Sequence, residues 1–257
     1  MTGATWYGDS WFLLRQLVLK DFRIRYRNMS LGIFWSVLQP LVLVTLMTYV
    51  FTVVLNNATP HFSVLVLTGL LPYNFFALSW SSATDSLVQN ASLVKRVPVQ
   101  RALVPVACVF SNVPHLGIQF LILMAFLLYQ RIPINLYWLW LPVLYLLEVL
   151  CLVGLGLLSA AANVLIRDIR YVVESANLVL FWLVPIAYPI DLVPKWAREF
   201  YYLNPVAALV VGSRNVILEH AAPAFSTVWK LALVAAVMLA VGIVTFRLLS
   251  RRFYAYL

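Results

Sequence analysis

Few side chains in this chain of 257 residues are placed for covalent chemistry. A phosphate-cradling G-x-x-x-x-G-K-[ST] loop is absent, and the sequence holds no group with metal-ligand spacing. The histidines His61, His115 and His220 are scattered, and His115, beside Pro114, reads as a core histidine rather than a proton relay. Catalysis within the chain is therefore not expected, and the remaining chemistry is that of recognition. Residues 11–27, WFLLRQLVLKDFRIRYR, alternate basic and aromatic side chains directly before a long apolar stretch. At helical period, Trp11, Leu14, Val18, Phe22 and Tyr26 share one face, while Gln16, Lys20, Arg23 and Arg27 recur on the opposite one. Such a helix would lie in the headgroup plane with its apolar side down. Arg15 and Arg25 fall near the apolar side, where they must snorkel or meet a protein acid, which argues for a protein contact beyond lipid. A plain polybasic anchor on anionic lipid is the simpler alternative.

The elements that position these residues are membrane spans. With 63% hydrophobic and 11% charged residues and a mean hydropathy of +0.92, the chain is too apolar for a soluble domain of its length. Six stretches supply the ~20 apolar residues that cross a hydrocarbon core of ~30 Å: 33–55, 63–84, 102–129, 136–164, 172–192 and 226–250. With an inside N-terminus, only Arg131, Lys195, Arg198, Arg214 and Lys230 of the 18 basic residues fall outside, so both termini are expected on the cytoplasmic side. The net charge of +9 then reflects sidedness, and no nucleic-acid partner is implied. No removable signal peptide is expected. Cys108 and Cys151 fall within spans as small core residues. The reading is an all-α polytopic membrane protein, one unit over 1–257, with an interface helix in 1–31 and a six-span bundle in 32–257.

Between spans five and six, Pro185, Pro189 and Pro194 precede an apolar run, 206–211, that is too short to cross. Asn204 before Pro205 suits the cap and first turn of a short helix, so the segment reads as a re-entrant outer hairpin lining an exit. An interfacial helix resting on lipid is the alternative. On the inner side, 89–98 joins apolar Leu93 and Val94 to Lys95 and Arg96 and stops at Pro98. It suits docking into a groove on another protein, or simply fixes topology. Asp168 is placed to cap the helix entering span five or to meet the basic N-terminal segment. In span four, Glu148, Cys151, Gly156, Ser159 and Asn163 form a small and polar stripe, either a packing seam or the wall of an aqueous path. Span one carries Thr45, Thr48, Tyr49 and Thr52 on one stripe, and span two carries Tyr73 and Trp80 with Phe76 nearby. Hydroxyls interleaved with aromatic faces fit sugar recognition, although aromatics at this depth also form interfacial belts.

The runs KDFRIRYR (20–27), SLGIFW (30–35) with Pro40, TGLLPYNFF (68–76), KRVP (95–98), NVLIRD (163–168), PIAYP (185–189) and LNP (203–205) together resemble type-2 ABC transporter permeases of the O-antigen and teichoic acid polysaccharide export branch. Ile166 departs from the pattern, where many relatives have an aromatic residue. The resemblance implies a homodimer of six-span subunits in the bacterial plasma membrane. Each subunit would be served by a cytoplasmic ABC ATPase subunit, two copies in all, that binds ATP and Mg; this chain itself would carry no cofactor. It implies coupling to the ATPase at Arg23, Arg25, Arg27, Leu93, Lys95 and Arg96. It also implies a channel for which Thr45, Thr48, Tyr49, Thr52, Tyr73, Phe76 and Trp80 are candidates, and an outer gate around Asn204, Pro205, Arg214 and Asn215. The expected substrate is a lipid-linked polysaccharide on undecaprenyl diphosphate. Arg15, Arg25 and Arg167 are candidates to attract the diphosphate, because arginine binds phosphate oxygens in a bidentate manner. The rival readings are a type-2 exporter of a small lipid or drug, and an ion-coupled secondary transporter using Glu148.

Overall fold

The computed structural model describes residues 10–27, 32–56, 59–96 and 100–253, apart from the side chains of 25–27, 32, 33, 36 and 96. The described residues are helical with no strand. In chain order the helices are α1 (Ser10–Arg27), α2 (Gly32–Thr48), α3 (Phe62–Gln89), α4 (Ala91–Arg96), α5 (Leu103–Ser111), α6 (Val113–Tyr129), α7 (Trp140–Leu165), α8 (Ile169–Leu183), α9 (Lys195–Leu203), α10 (Pro205–Ile217) and α11 (Phe225–Ser250). A π-turn, Tyr49–Val54, prolongs α2, and a 3-10 turn, Leu136–Leu139, leads into α7.

Among the described residues, five helical runs are long and apolar enough to cross a membrane: Val37–Val54, Phe62–Gln89, Leu103–Tyr129, Leu136–Leu165 and Phe225–Ser250. The stretch expected as span five, 172–192, is not one helix. Pro185 biases Val184 to the extended conformation it adopts (ψ 137°), and the helix ends at Leu183. At 15 residues, α8 is about 22 Å long, short of the ~30 Å core. The overlong third stretch also divides. Pro114 supplies no N–H at the start of α6, and the Asn112 side chain fills the break by donating to the Cys108 carbonyl (2.9 Å) and Ser82 Oγ (3.0 Å).

α3 is the axis of the bundle, packed against α2, α5, α6, α7, α8 and α10. One core surrounds its first half, with Phe75, Leu70, Leu144 and Leu209 fully enclosed. A second core lies where α3 ends, and there Leu17, Leu87, Val94, Val104, Leu157, Phe246 and Phe253 meet. The most intimate seam is between α7 and α11, whose backbones touch at Gly154 and Gly242. Close approach through small residues is how helices associate in lipid, where burying apolar surface gives no driving force.

Candidate functional site

At one end of the bundle α1 lies against α5 rather than free on lipid. Its covered face centres on Leu17 (5% exposed), flanked by Leu13, Leu14 and Val18, whereas Trp11 and Phe12 are exposed. Lys20, which periodicity places on the outward polar face, points inward. Its Nζ donates to Asn90 Oδ1 (2.5 Å) and pairs with Asp21 (3.1 Å). Asp21 in turn accepts from Cys108 Sγ (3.3 Å) on α5. The reason is the partner: a protein surface with its own polar atoms, not a uniform lipid plane, selects the buried face. Asn90 caps α3, donating to the Ser86 carbonyl (2.8 Å), and leads into α4. The two segments that the sequence singles out for docking are thus tied to each other by one hydrogen bond. Val94 of α4 is buried in the shared core, Leu93 is half-buried, and Lys95, Arg15, Arg23 and Arg167 are exposed. The side chains of Arg25, Arg27 and Arg96 lie outside the described residues. Asp168 stands at the cap position of α8 without a side-chain capping bond.

Along the middle, α8 is fastened to α3. Tyr73 donates to the Asn177 carbonyl (2.9 Å) and meets Phe181 edge-on, and Asn177 Nδ2 donates to Ser81 Oγ (3.0 Å) and the Ala77 carbonyl (3.3 Å). Sequence reasoning passed over Asn177, although a lone amide in an apolar helix signals an interhelical bond. Phe76 is fully buried with its edge toward Trp80, so within one chain it belongs to the core. Trp80 is half-buried, and its indole N–H has no hydrogen-bond partner. On α2, Thr45 and Thr52 donate back to the carbonyls of Leu41 and Thr48, the Thr48 hydroxyl is buried without a partner, and Tyr49 is exposed. An apolar groove of about 250 Å³ separates α2 from the end of α8, lined by Leu46, Val50, Phe51, Phe181, Trp182 and Tyr188.

The stripe on α7 is a packing seam. Cys151, Ser159 and Asn163 are buried, a Cβ on Gly156 would lie 2.8 Å from that of Ala83, and Ser159 Oγ is 2.7 Å from Thr84 Oγ1. Asn163 donates to the Thr84 carbonyl (3.1 Å) and Asp85 Oδ1 (3.2 Å). Glu148 is buried among these packed residues, and neither of its carboxyl oxygens has a hydrogen-bond partner.

At the opposite end from α1, Asn204 caps α10, accepting from the Val206 (3.0 Å) and Ala207 (3.5 Å) amides, with Pro205 in the first turn. α10 is buried along its length, while the preceding α9 exposes Trp196 and Phe200. Asn215 is half-buried. Arg214 is 6% exposed and donates to three backbone carbonyls: Tyr188 (2.8 Å) from Nη1, and Ile186 (2.6 Å) and Leu65 (3.1 Å) from Nη2. Burial lowers its guanidinium to about 10, so it remains charged at neutral pH.

A family model described as ABC-2 type transporter matches residues 13–218. The chain belongs to the ABC-2 type transporter family. In this ABC-2 transporter chain the matched region takes in α1 from residue 13 on, the α3–α4 corner and both α9 and α10, and stops short of α11. The O-antigen export system permease protein RfbA of Klebsiella pneumoniae is 27% identical over 212 residues, 80% of each chain. Its namesake in Myxococcus xanthus is 27% identical over 230 residues, 88% of each. The polysialic acid transport protein KpsM of Escherichia coli is 20% identical over 234 residues, 90% of this chain and 91% of that protein.

Proposed function

We propose that this chain is the permease subunit of an ATP-driven exporter that moves a lipid-linked polysaccharide to the outer face of the bacterial plasma membrane. The observation that carries the reading is similarity to proteins named for O-antigen export and polysialic acid transport over 80 to 91% of both partners. The carrier lipid is undecaprenyl diphosphate, and exposed Arg15 and Arg167, with Arg25, draw its diphosphate to the inner entrance. Two copies of a cytoplasmic ABC ATPase bind ATP and Mg and dock on α1 and α4, with Arg23, Arg27, Lys95 and Arg96 as the coupling residues.

The working unit is a homodimer. α2 and α8 leave apolar faces uncovered on either side of the groove between them, including Leu46, Val50, Leu178, Val179 and Trp182, and a second copy there would close a shared path. The path then passes Tyr49, Tyr73 and Trp80. α8, with the irregular segment behind it, serves as the fifth of six crossings, and both termini are cytoplasmic. The α9–α10 hairpin is the outer gate. Burial of Glu148 in the α7 packing seam supports an ATP-driven permease over the reading in which it carries a coupling ion.

The test is export in cells that carry the chain and its ATPase. Deletion of the chain is expected to abolish surface polysaccharide and leave the lipid-linked polymer on the inner side. Single replacement of Arg15, Arg25 and Arg167 by Gln should weaken export while the ATPase still co-purifies. Unchanged surface polymer in the deletion strain, or ATPase activity in the complex stimulated by a small amphiphile but not by a glycolipid, would overturn the proposal.

A further inference from the structure

Arg214 is a cation buried in a largely apolar helix; among the described residues no carboxylate bonds to it, although Glu219 lies close enough to favour its charge. Its three bonds run to backbone oxygens on two different segments. Leu65 lies on α3, and Ile186 and Tyr188 lie on the irregular stretch behind α8. That stretch is where Pro185 and Pro189 stop helical bonding, so its carbonyls lack the donors a helix would supply. Irregular backbone inside a membrane protein survives only where protein or water satisfies it. The three carbonyl oxygens take the bonds that a carboxylate usually takes from such a charge.

The surroundings fit the same role. Gly69 faces the junction: a Cβ there would lie 2.9 Å from Ile186 Cα and 3.3 Å from Arg214 Nη2, so only glycine leaves room for the contact. Tyr188 binds the other side of the segment, its hydroxyl donating toward the Trp182 and Leu183 carbonyls (each 3.3 Å) at the end of α8. Val184 and Ile186 are buried between these two attachments.

We propose that Arg214 is a latch: it holds the Val184–Pro189 segment onto α10 and α3, and its release lets that segment lift while the rest of the bundle stays packed. The inference rests on reading α9–α10 as the outer gate only for its consequence in transport, since latching itself is a local property. In that setting the latch keeps the outer end of the path shut between cycles.

A reporter cysteine replacing Ala187, which sits between the two latched carbonyls and is buried, tests this in the full chain in cell membranes. The parent chain, whose Cys108 and Cys151 are both buried, sets the blank. With Arg214→Met, labelling of the reporter by a membrane-impermeant maleimide is expected to quicken by ~10-fold or more, since the loss of charge-assisted bonds raises the open population. Arg214→Lys, which restores charge without the planar fork, should fall between the two. With a membrane-permeant maleimide Cys151 should stay unreactive, which separates local release from general loosening. Gly69→Ala, which wedges the junction without removing the charge, should act like Arg214→Met and carries the test should that variant fail to accumulate. Reporter labelling within about twofold of the parent in both variants, or quickening only together with Cys151, overturns the latch. Faster labelling with polysaccharide export and membrane leak both unchanged upholds the latch and instead overturns the gate reading.

Discussion

The seam between α7 and α11 makes a demanding prediction about stability. A methyl group added at Gly242 would place its carbon 2.1 Å from the Gly154 carbonyl oxygen and 2.8 Å from Gly154 Cα. Ordinary contact begins near 3.4 Å, so the helices must part by about 1.3 Å. No rotamer change relieves the clash, because the obstructing atoms are backbone. A gap of ~0.5–1 Å already forfeits a quarter to a half of each dispersion contact, and this seam is lined along 26-residue helices. The cost of Gly242→Ala should therefore reach the top of the usual overpacking range, about 3 kcal/mol. At ~2–4 °C per kcal/mol for a chain of this size, that is a fall in Tm of roughly 6–12 °C. Both cysteines are free and buried, so a thiol-reactive fluorogenic dye reads the melt of the detergent-purified chain directly. Gly117→Ala is the matched control: nothing lies within 4 Å of its added carbon, and alanine is the better helix former, so its Tm should hold or rise. If Gly242→Ala melts within about 2 °C of Gly117→Ala, the close crossing of α7 and α11 is not what packs the bundle.

Two further outcomes follow from the same geometry. Lys20→Met and Asn90→Ala should each weaken retention of the ATPase on affinity purification, by about fivefold for a part-buried bond worth about 1 kcal/mol; the double variant should do no worse than either single one, and additive losses would show that the bond does not join α1 to α4. Glu148→Gln, isosteric at a carboxyl group with no hydrogen-bond partner, should leave surface polysaccharide and Tm unchanged, whereas Glu148→Lys should prevent accumulation in membranes; loss of export by a stable Glu148→Gln chain would return the residue to the transport path.

Long apolar stretches and breaker residues were legible because they act locally. Pro205 behind Asn204 needs no tertiary context to start a helix, and α10 begins there as the spacing predicts. Residues 172–192 do not form one continuous helix for an equally local reason: hydropathy counts Val184–Leu192 as apolar, but Pro185 and Pro189 decide its backbone. What the sequence could not display was pairing. Lys20 is basic, and on a helix alone it belongs with Arg23, but Asn90 waits 70 residues further on. Gly154 and Gly242 are unremarkable singly and matter only because they meet. Asn177, Arg214 and Glu148 are all polar residues in apolar helices, and hydropathy treats them alike. The first finds an amide-to-serine bond, the second finds three carbonyls, and the third finds nothing, and only the packed structure separates them.

Those pairings also tie distant ends of the molecule to one helix. α3 runs about 42 Å over its 28 residues and is bonded at both extremes: its Leu65 carbonyl accepts from Arg214, and Asn90, capping its other end, accepts from Lys20. Between them it is held by Asn177 at Ser81, by Asn112 at Ser82, and by Ser159 and Asn163 at Thr84. These bonds gather at residues 81–84, where a kink would strand a buried polar group, whereas Pro72 interrupts the helical bonding between that cluster and Leu65. α3 thus joins the corner where α1 and α4 meet to a carbonyl that Arg214 holds, and its two ends are fastened unequally: Lys20–Asn90 is a single bond in a part-exposed corner, whereas Arg214 makes three bonds in a buried one.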